Sequence, residues 1–453
     1  MNSSFEAYFN TLKDKRIVVL GLGVSNRPLV KLLLSFGCNV TGCDRTPREN
    51  LDPAVLELEK LGCKLRVGDG YLDDLTADIV FRTPGMHPAN PALTGLRDAG
   101  ALITSEMELF FELCPCKIIA VTGSDGKTTT TTLISEFLKA AGYKVWLGGN
   151  IGTPLLPVCN QIGDTDIAVV ELSSFQLMDM QRSAHISVVT NLAPNHLDVH
   201  KDMDEYVEAK KNIFKFQGAA DKLILNADNA ITAGFTGNGT TRFFSRKAKA
   251  DICLQGDMIL RDGKPVLNKN DILIPGEHNV ENYMAAMLAV QGLVEDAVIC
   301  NVAKTFGGVE HRIELVRVKD GVRFYNDSIA SSPSRTIAGL RSFQEKVLLI
   351  AGGYDKHIPY DVLGPEVCEH AKAVFVNGAT AMLIKEAIEK APSYKPGAPE
   401  IIVCEDFTDA VMKSSAYAKE GDIVLMSPAS AAFDQFKNFM ERGKYFKKLV
   451  SEL

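Results

Sequence analysis

Ten short apolar runs rich in β-branched residues alternate with amphipathic stretches along the chain, and this alternation constrains the fold more than any other feature. RIVVLG (16–21), IVFRTPG (79–85), KIIAVTG (117–123), IAVVELS (167–173), ISVVTN (186–191) and KLILNAD (222–228) form a first set. KVLLIAGG (346–353), AVFVNG (373–378), EIIVCED (400–406) and GDIVLMSP (421–428) form a second. Continuous apolar runs of this length suit parallel strands covered on both faces by helices. They exceed one ordinary sheet, so the expected class is α/β with several doubly wound units.

The segment ADICLQGDMILRDGKPVLNKNDILIP (250–275) breaks the pattern with short alternating runs cut by Gly, Asp and Asn. It predicts a small antiparallel meander attached to the second unit. A length of 453 residues admits two to four domains. The first series of strands ends near 103–107, and GGVEHRIELV starts a fresh one near 309. The expected domains are therefore 1–105, 106–309 and 310–453.

Charge and cysteine usage narrow the function classes. The net charge is −7, from 49 basic against 56 acidic residues, with no Lys/Arg block to follow a phosphodiester backbone, so nucleic acid is not an expected partner. MNSSFEAYFNTLKDKR has no apolar signal core, and no stretch approaches the roughly 18 apolar residues of a membrane span. The expectation is a cytoplasmic protein with no membrane partner. Of ten cysteines only Cys114 and Cys116 are close in sequence, which fits neither a zinc ribbon nor a disulfide framework and predicts reduced, mostly buried thiols.

The stretch KIIAVTGSDGKTTTTTLISEFLKAAG has the order a nucleotide loop requires: buried strand, glycine turn, lysine, hydroxyl, helix. Gly123 and Gly126 let backbone N–H groups turn toward an anion, with Ser124 and Asp125 completing the turn. The helix N-terminus adds its dipole. Lys127 would reach the β and γ phosphates, Thr128 would bind Mg²⁺, and Thr129 can face the phosphates. Val121 stands at the first glycine position of the usual pattern, so the loop is a shortened TGxxGKT. Five threonines cost up to roughly 3 kcal/mol of helix propensity relative to alanine. Leu133, Phe137 and Ala141 at four-residue spacing are expected to hold this helix on the sheet, with Gly142 as its stop.

Two further clusters accompany the loop. GLGVSN (21–26) with Asp44, 21 residues after Gly23, is half of a dinucleotide fingerprint with Asn26 at the third glycine position. By itself it reads equally as a tight strand-to-helix turn. Glu171 ends a predicted strand, where ligands of open parallel sheets collect, and His196 follows the next one. His196 and His200, with Asp198 between, could hold zinc on one helical turn. Against this, His200 precedes the charged KDMDE and reads as solvated, and Mg²⁺ shared with phosphate prefers Glu and hydroxyl ligands.

Taken together the motifs resemble one family, the Mur ligases. TGSDGKTT (122–129), GGNIGTPL (148–155), ELSSFQL (171–177), TNLAPNHLDVH (190–200), YVEAKKNIF (206–214), GEHNVENYMAA (276–286), EHRIE (310–314), YNDSIASS (325–332), AGGYDK (351–356) and SPASAAFDQFKNFMERG (427–443) occur in family order. The resemblance is strongest to the member that adds D-glutamate. It implies three domains: an N-terminal Rossmann-like domain, a central P-loop ATPase-type sheet carrying the meander, and a C-terminal Rossmann-like domain. It also implies an ATP-dependent amide ligase of peptidoglycan precursor synthesis, acting as a monomer. UDP-N-acetylmuramoyl-L-alanine and D-glutamate would be its substrates, joined through an acyl phosphate.

The same resemblance implies roles for individual residues. Lys127, Glu171, His196 and Lys210 match the catalytic set, with two Mg²⁺ ions on Thr128, Glu171, His196 and Lys210, the last as a carbamylated lysine. Lys211 is adjacent, so choosing Lys210 rests on the AK match. Asn279, Asn282, Arg312 and Asp327 match positions that hold adenine, ribose or the γ-phosphate. Ser25, Asp44, Arg45 and Gly85 would meet UDP, Asn150 the middle of that substrate, and Lys356 and Phe439 the incoming amino acid.

Three positions depart from the family pattern: Ile329 for a lysine, Ala432 for a hydroxyl residue, and Asp125 for asparagine. The first two are expected either to weaken glutamate binding or to shift it toward Lys356, Ser331, Ser332 or Arg335, and Asp125 is expected to point away from the phosphates. Alternatives are the same chemistry on another amino acid or acceptor, a folylpolyglutamate synthase, a P-loop kinase, or a dehydrogenase using GLGVSN.

Overall fold

The structure, a computed structural model, describes residues 3–196 and 199–453. They form two compact units, Met1–Leu267 with Glu281–Ile299, and Asn268–Val280 with Cys300–Leu453. Each of the ten apolar runs contributes a strand that pairs in parallel with its neighbours. The class is α/β as expected.

The first unit holds two sheets. Five parallel strands lie in the order Lys64–Val67, Asn39–Asp44, Arg16–Leu20, Ile79–Phe81, Leu102–Thr104. The second sheet has nine, and its strand Lys117–Thr122 lies between Ile186–Val189 and Ile167–Glu171. That insertion makes a topological switch point, so a crevice opens beyond the C-terminal end of Lys117–Thr122. The segment 250–275 is the far edge of this same sheet: Ile252–Gln255 pairs in parallel with Thr240–Ser245 and antiparallel with Met258–Arg261.

One apolar cluster runs through both sheets of the first unit. It includes Phe5, Phe9, Val19 and Phe81 from the first and Ile118, Ala120, Val170 and Leu225 from the second. Helix Ser3–Thr11 covers the first sheet, with Phe9 stacked 4.9 Å from Phe36. Continuous burial of this kind makes the two sheets one body.

In the second unit six strands lie in the order Glu314–Lys319, Val322–Asn326, Ile423–Met426, Val347–Gly352, Ala371–Asn377, Glu400–Val403. The first pair is antiparallel and the rest parallel. Separate apolar clusters, centred on Leu349, Val374 and Leu425 and on Leu348, Phe375 and Val424, fill its two faces. All ten cysteines carry unbridged thiols.

Helix Lys127–Ala140 shows what offsets its poor formers. Leu133, Ile134, Phe137 and Leu138 are fully buried, and Phe137 lies 5.9 Å from the Tyr283 ring. Ala141 is exposed, contrary to expectation, because the helix ends at Ala140 and the chain turns at Gly142 with φ +90°. Packing therefore rests on the residues before it. Phe137→Ala should cost the first unit about 3–5 kcal/mol. A lowered denaturant midpoint for loss of helical circular dichroism checks this.

Candidate active site

The glycine turn beyond strand Lys117–Thr122 is fixed by lack of space. Gly123 has φ +148°, and a Cβ there would lie 1.9 Å from Thr190 Oγ1. Gly126 has φ +76°, and its Cβ would meet Asn282 Oδ1 at 2.3 Å. No other residue fits either position without displacing a neighbour. Ser124 Oγ donates to Ala193 O at 2.9 Å and meets Tyr206 Oη at 2.9 Å. The Asp125 backbone is held by Asn191 and Thr190, and its side chain is exposed.

The threonine run continues this scaffold. Thr128 and Thr129 are half-buried in the first turn. Thr130 Oγ1 donates to Asn282 Oδ1 at 3.2 Å, Thr131 Oγ1 to Lys127 O and Thr132 Oγ1 to Thr128 O, each at 2.8 Å. The i−4 bonds satisfy the hydroxyls within the helix, and the Asn282 contact ties the turn to helix Glu277–Ala289.

Two lysines converge on one carbonyl. Lys127 Nζ donates to Gly123 O at 2.9 Å and Ser124 O at 2.7 Å. Lys210 Nζ donates to the same Gly123 O at 2.9 Å and to Thr122 Oγ1 at 3.1 Å, 4.9 Å above the Tyr206 ring. Burial, and next the charge of Lys127, hold the Lys210 amine well below the ordinary lysine range, against the pull of Glu171. Lys211, by contrast, pairs with Glu208 at 2.6 Å on the helix surface. The two candidates are thus separated by burial.

Glu171 is 1% exposed. Its Oε1 accepts from Asn150 Nδ2 at 2.7 Å, and its Oε2 is a buried oxygen with no partner among the described residues. Such an atom is costly unless something positive reaches it. Asn150 is thus engaged by Glu171. Among the described residues no three His, Cys, Asp or Glu side chains converge, so a hard ion on Glu171 and the Thr128 hydroxyl would draw its remaining oxygens from phosphate and water. The donor set fits Mg²⁺ in that sense.

His196 is exposed, with φ +57° and its ring 5.0 Å from Phe175. His200 overturns its expectation: it is buried, its Nε2 lies 2.9 Å from Ser174 Oγ, and its ring stacks on Phe175. His196 is exposed at a left-handed backbone position while the buried His200 ring is engaged by Ser174, so the two imidazoles do not face one ion and the zinc pairing fails. Asp198 lies outside the described residues. Sequence reading also missed Tyr206 and Thr190, although the four-residue step from Tyr206 to Lys210 was a usable signal.

At the first sheet, Asp44 accepts from Leu22 N at 2.8 Å and Thr46 N at 2.9 Å. Burial opposes its charge, but these two N–H groups hold the carboxyl below its usual range. Asn26, at the third glycine position, donates to Leu20 O and Gly21 O. Ser25 precedes helix Asn26–Ser35 without a side-chain cap bond, and Arg45 and Gly85 are exposed. Arg82, buried, joins this region to the central sheet by donating to Met86 O at 2.8 Å and Phe175 O at 3.1 Å.

In the second unit Asp327 is buried, accepting from Ser427 Oγ at 2.7 Å and Ile313 N at 3.3 Å. Burial pushes its carboxyl up to about 7, against the nearby charge of Arg312. Asn279 Nδ2 donates to Pro275 O at 2.6 Å. Arg442, 2% exposed, donates to Ser328 Oγ and to the carbonyls of Ser328, Ser430 and Ala431, the residues flanking Ile329 and Ala432. Phe439 O accepts from Ser328 Oγ at 2.7 Å, and Lys356 is exposed. Ile329 and Ala432, Phe439 and Arg442 therefore belong to one framework.

Two families match the chain, one described as the Mur ligase middle domain over residues 121–290 and one as the Mur ligase glutamate ligase domain over 311–430. A UDP-N-acetylmuramoylalanine–D-glutamate ligase of Acetivibrio thermocellus is 51% identical over 464 residues, covering 100% of both chains. One from Clostridium novyi is 48% identical, again over 100% of both. Among solved structures, the UDP-N-acetylmuramate–alanine ligase of Thermotoga maritima superposes with a TM-score of 0.57 at 18% identity, over 97% of this chain and 99% of that one. A pseudomurein peptide ligase of Methanothermus fervidus gives 0.52 at 18% identity, over 97% and 100%. These two share the fold.

A test follows from Asp327. Its carboxyl binds a proton more tightly folded, at about 7, than unfolded, at 3.8, so folding loses stability as pH rises between those values. Asp327→Asn removes the titration. Its denaturant midpoint relative to wild type should rise between pH 4 and pH 8 by circular dichroism, and a difference constant with pH would refute the assignment.

Proposed function

The chain belongs to the Mur ligase family, and from that premise we propose that it joins D-glutamate to UDP-N-acetylmuramoyl-L-alanine in an ATP-dependent step of peptidoglycan precursor synthesis. What carries the reading is the full-length match at 51% identity to a relative of that name. We assign residues 1–105 to the UDP end of the substrate, 106–309 to ATP and 310–453 to the amino acid. The chain would act as a monomer in the cytoplasm. Among the described residues no helix is long and apolar enough to cross a membrane.

In this scheme the alanine carboxylate takes the γ-phosphoryl group and ADP departs. The D-glutamate nitrogen then attacks the acyl carbon, the carbon–oxygen bond to phosphate breaks, and an amide, inorganic phosphate and a proton result. Such a reaction needs positioning and concentrated positive charge more than covalent help. Lys127 would turn from the carbonyls of Gly123 and Ser124 to the phosphates, and the N–H groups of the Gly123–Thr129 turn would hold them. Mg²⁺ would neutralise phosphate charge on Thr128, Glu171, His196 and Lys210. Asn279, Asn282, Arg312 and Asp327 would take the nucleotide. Ser25, Asp44, Arg45, Gly85 and Asn150 would take the uridine substrate, Asn150 also aiming Glu171.

Lys210 supports one finer proposal. A buried amine with its pKa pulled down is a nucleophile able to add to CO₂. Its carbamate would bring the anion that a cationic lysine beside Lys127 denies to Mg²⁺. At the amino-acid end, Ile329 and Ala432 offer neither charge nor hydroxyl. Recognition of D-glutamate would fall to Lys356, Ser331, Ser332 and Arg335, with Phe439 beside them.

Purified protein given ATP, Mg²⁺, UDP-N-acetylmuramoyl-L-alanine and a panel of amino acids should release phosphate with D-glutamate and yield the amide by mass. Release with another amino acid alone would refute the specificity, and no release with any would refute the chemistry. Lys127→Ala should reduce kcat about 10²–10³-fold. Protein equilibrated with ¹³C-bicarbonate should show a carbamate carbonyl resonance that Lys210→Arg lacks, and equal spectra would remove the carbamate.

A further inference from the structure

His200 has no assigned part in the proposed reaction, yet its surroundings are organised around it. Its side chain is fully buried. Nε2 meets Ser174 Oγ at 2.9 Å, and Nδ1, 3.4 Å from Glu205 Oε2, makes no hydrogen bond. The ring lies parallel to Phe175, 5.4 Å away at 8°, and edge-on to Tyr206, 5.2 Å away at 76°. Burying an imidazole with one nitrogen facing a carboxylate but making no hydrogen bond disfavours folding compared with an apolar side chain of the same shape. The core alone does not account for it.

Each contact leads to a residue of the reaction centre. Ser174 and Phe175 follow Glu171 on the turn capped by Ser173, and Phe175 also supports the His196 ring at 5.0 Å. Tyr206 carries Lys210 Nζ 4.9 Å above its ring and holds Ser124 of the phosphate loop through a 2.9 Å bond. The His200 backbone N–H donates to His196 O at 2.9 Å, closing the loop that presents His196. Glu205 accepts from Lys201 N at 2.9 Å and lies 3.3 Å from His87, which fixes the remaining side of the cage. One imidazole thereby touches the three segments bearing Glu171, His196 and Lys210.

We propose that His200 is a positioning residue for the reaction: by its bond to Ser174, its stacking on Phe175 and its edge-on contact with Tyr206 it sets His196 and Lys210 at the phosphate loop. The proposal rests on the ligase reading, since it gives His196 and Lys210 their work. Residues behind the ligands of an ion orient those ligands, and losing them typically weakens binding or activity about 10–100-fold. Of the two interactions, the Ser174 bond sets the rotation of the imidazole ring and the stacking sets its depth.

The test uses the full chain, with His200→Phe, which keeps a ring and loses the bond, Ser174→Ala, and the double variant. His200→Phe should lower kcat about 10–100-fold, leave KM for D-glutamate within two-fold, and raise the Mg²⁺ concentration for half-maximal rate. The double variant should fall no further than His200→Phe, because both changes break the same bond. Independently of turnover, Mn²⁺ held with ADP, read by electron paramagnetic resonance, should bind about ten-fold more weakly in His200→Phe. Equal Mn²⁺–ADP binding in wild type and His200→Phe would overturn this role and leave the ligase reading intact. Parallel losses in every KM and in thermal midpoint would reduce His200 to packing and also overturn it. Absence of Mn²⁺–ADP binding by the wild-type chain would overturn the ligase reading, and this role with it.

Discussion

Two ammonium groups donate to the carbonyl oxygen of Gly123, and the rest of the site is arranged around that crowding. Burial first, and next the charge of Lys127, lower the proton affinity of Lys210. The loop carbonyls are a partial remedy, offering dipoles where a full negative charge would serve better. In the proposed reaction an incoming phosphate would relieve the repulsion between the two lysines. The glycine turn makes the crowding possible. With a side chain at position 123 or 126, the loop could not close on Thr190 or Asn282, and its carbonyls would not face both lysines.

The strands legible in the sequence are those buried on both faces, where sheet packing demands runs such as KIIAVT and VLLIAG. Asn39–Asp44 (NVTGCD) and Val145–Gly149 (VWLGG) also form strands but did not stand out. Glycine and polar residues interrupt the first and two glycines end the second, and pairing with stronger neighbours, not propensity, makes them extended. The helix after the phosphate loop was read one residue too far at Ala141, since a four-residue period cannot say where the last turn ends. The meander was legible by its turns, as was its place on the central sheet, but the parallel pairing of Ile252–Gln255 with Thr240–Ser245 was not, because that partner has a modest pattern.

The site shows a similar division. Glycine, lysine and hydroxyl positions of the phosphate loop follow from local chemistry and are where the motif puts them. Choosing Lys210 over Lys211 is beyond local chemistry: one residue of helical rotation carries one amine into the core and leaves the other with Glu208. His200 was misread for the same reason. Its sequence neighbours KDMDE are solvated, whereas Phe175 and Tyr206, which bury it, come from other segments. Thr130 to Thr132 had no evident purpose in sequence, and their acceptors are visible only when the helix and Asn282 are in place.

In the second unit, Arg442 brings charge close to the two positions where the family pattern is broken. A guanidinium needs many acceptors, and this one finds the carbonyls of Ser328, Ser430 and Ala431 and the Ser328 hydroxyl instead of a carboxylate. Carbonyl dipoles screen such a cation without neutralising it, and the nearby charge of Asp434 offsets part of it. Asp327 could cancel it, but burial raises that carboxyl to about 7 and so leaves it partly protonated near neutrality. Ile329 therefore places no mobile cation on loops that carry a fixed one. In the proposed reaction, an amino acid bearing two carboxylates would meet a field set by the framework, with the exposed Lys356 as its adjustable part.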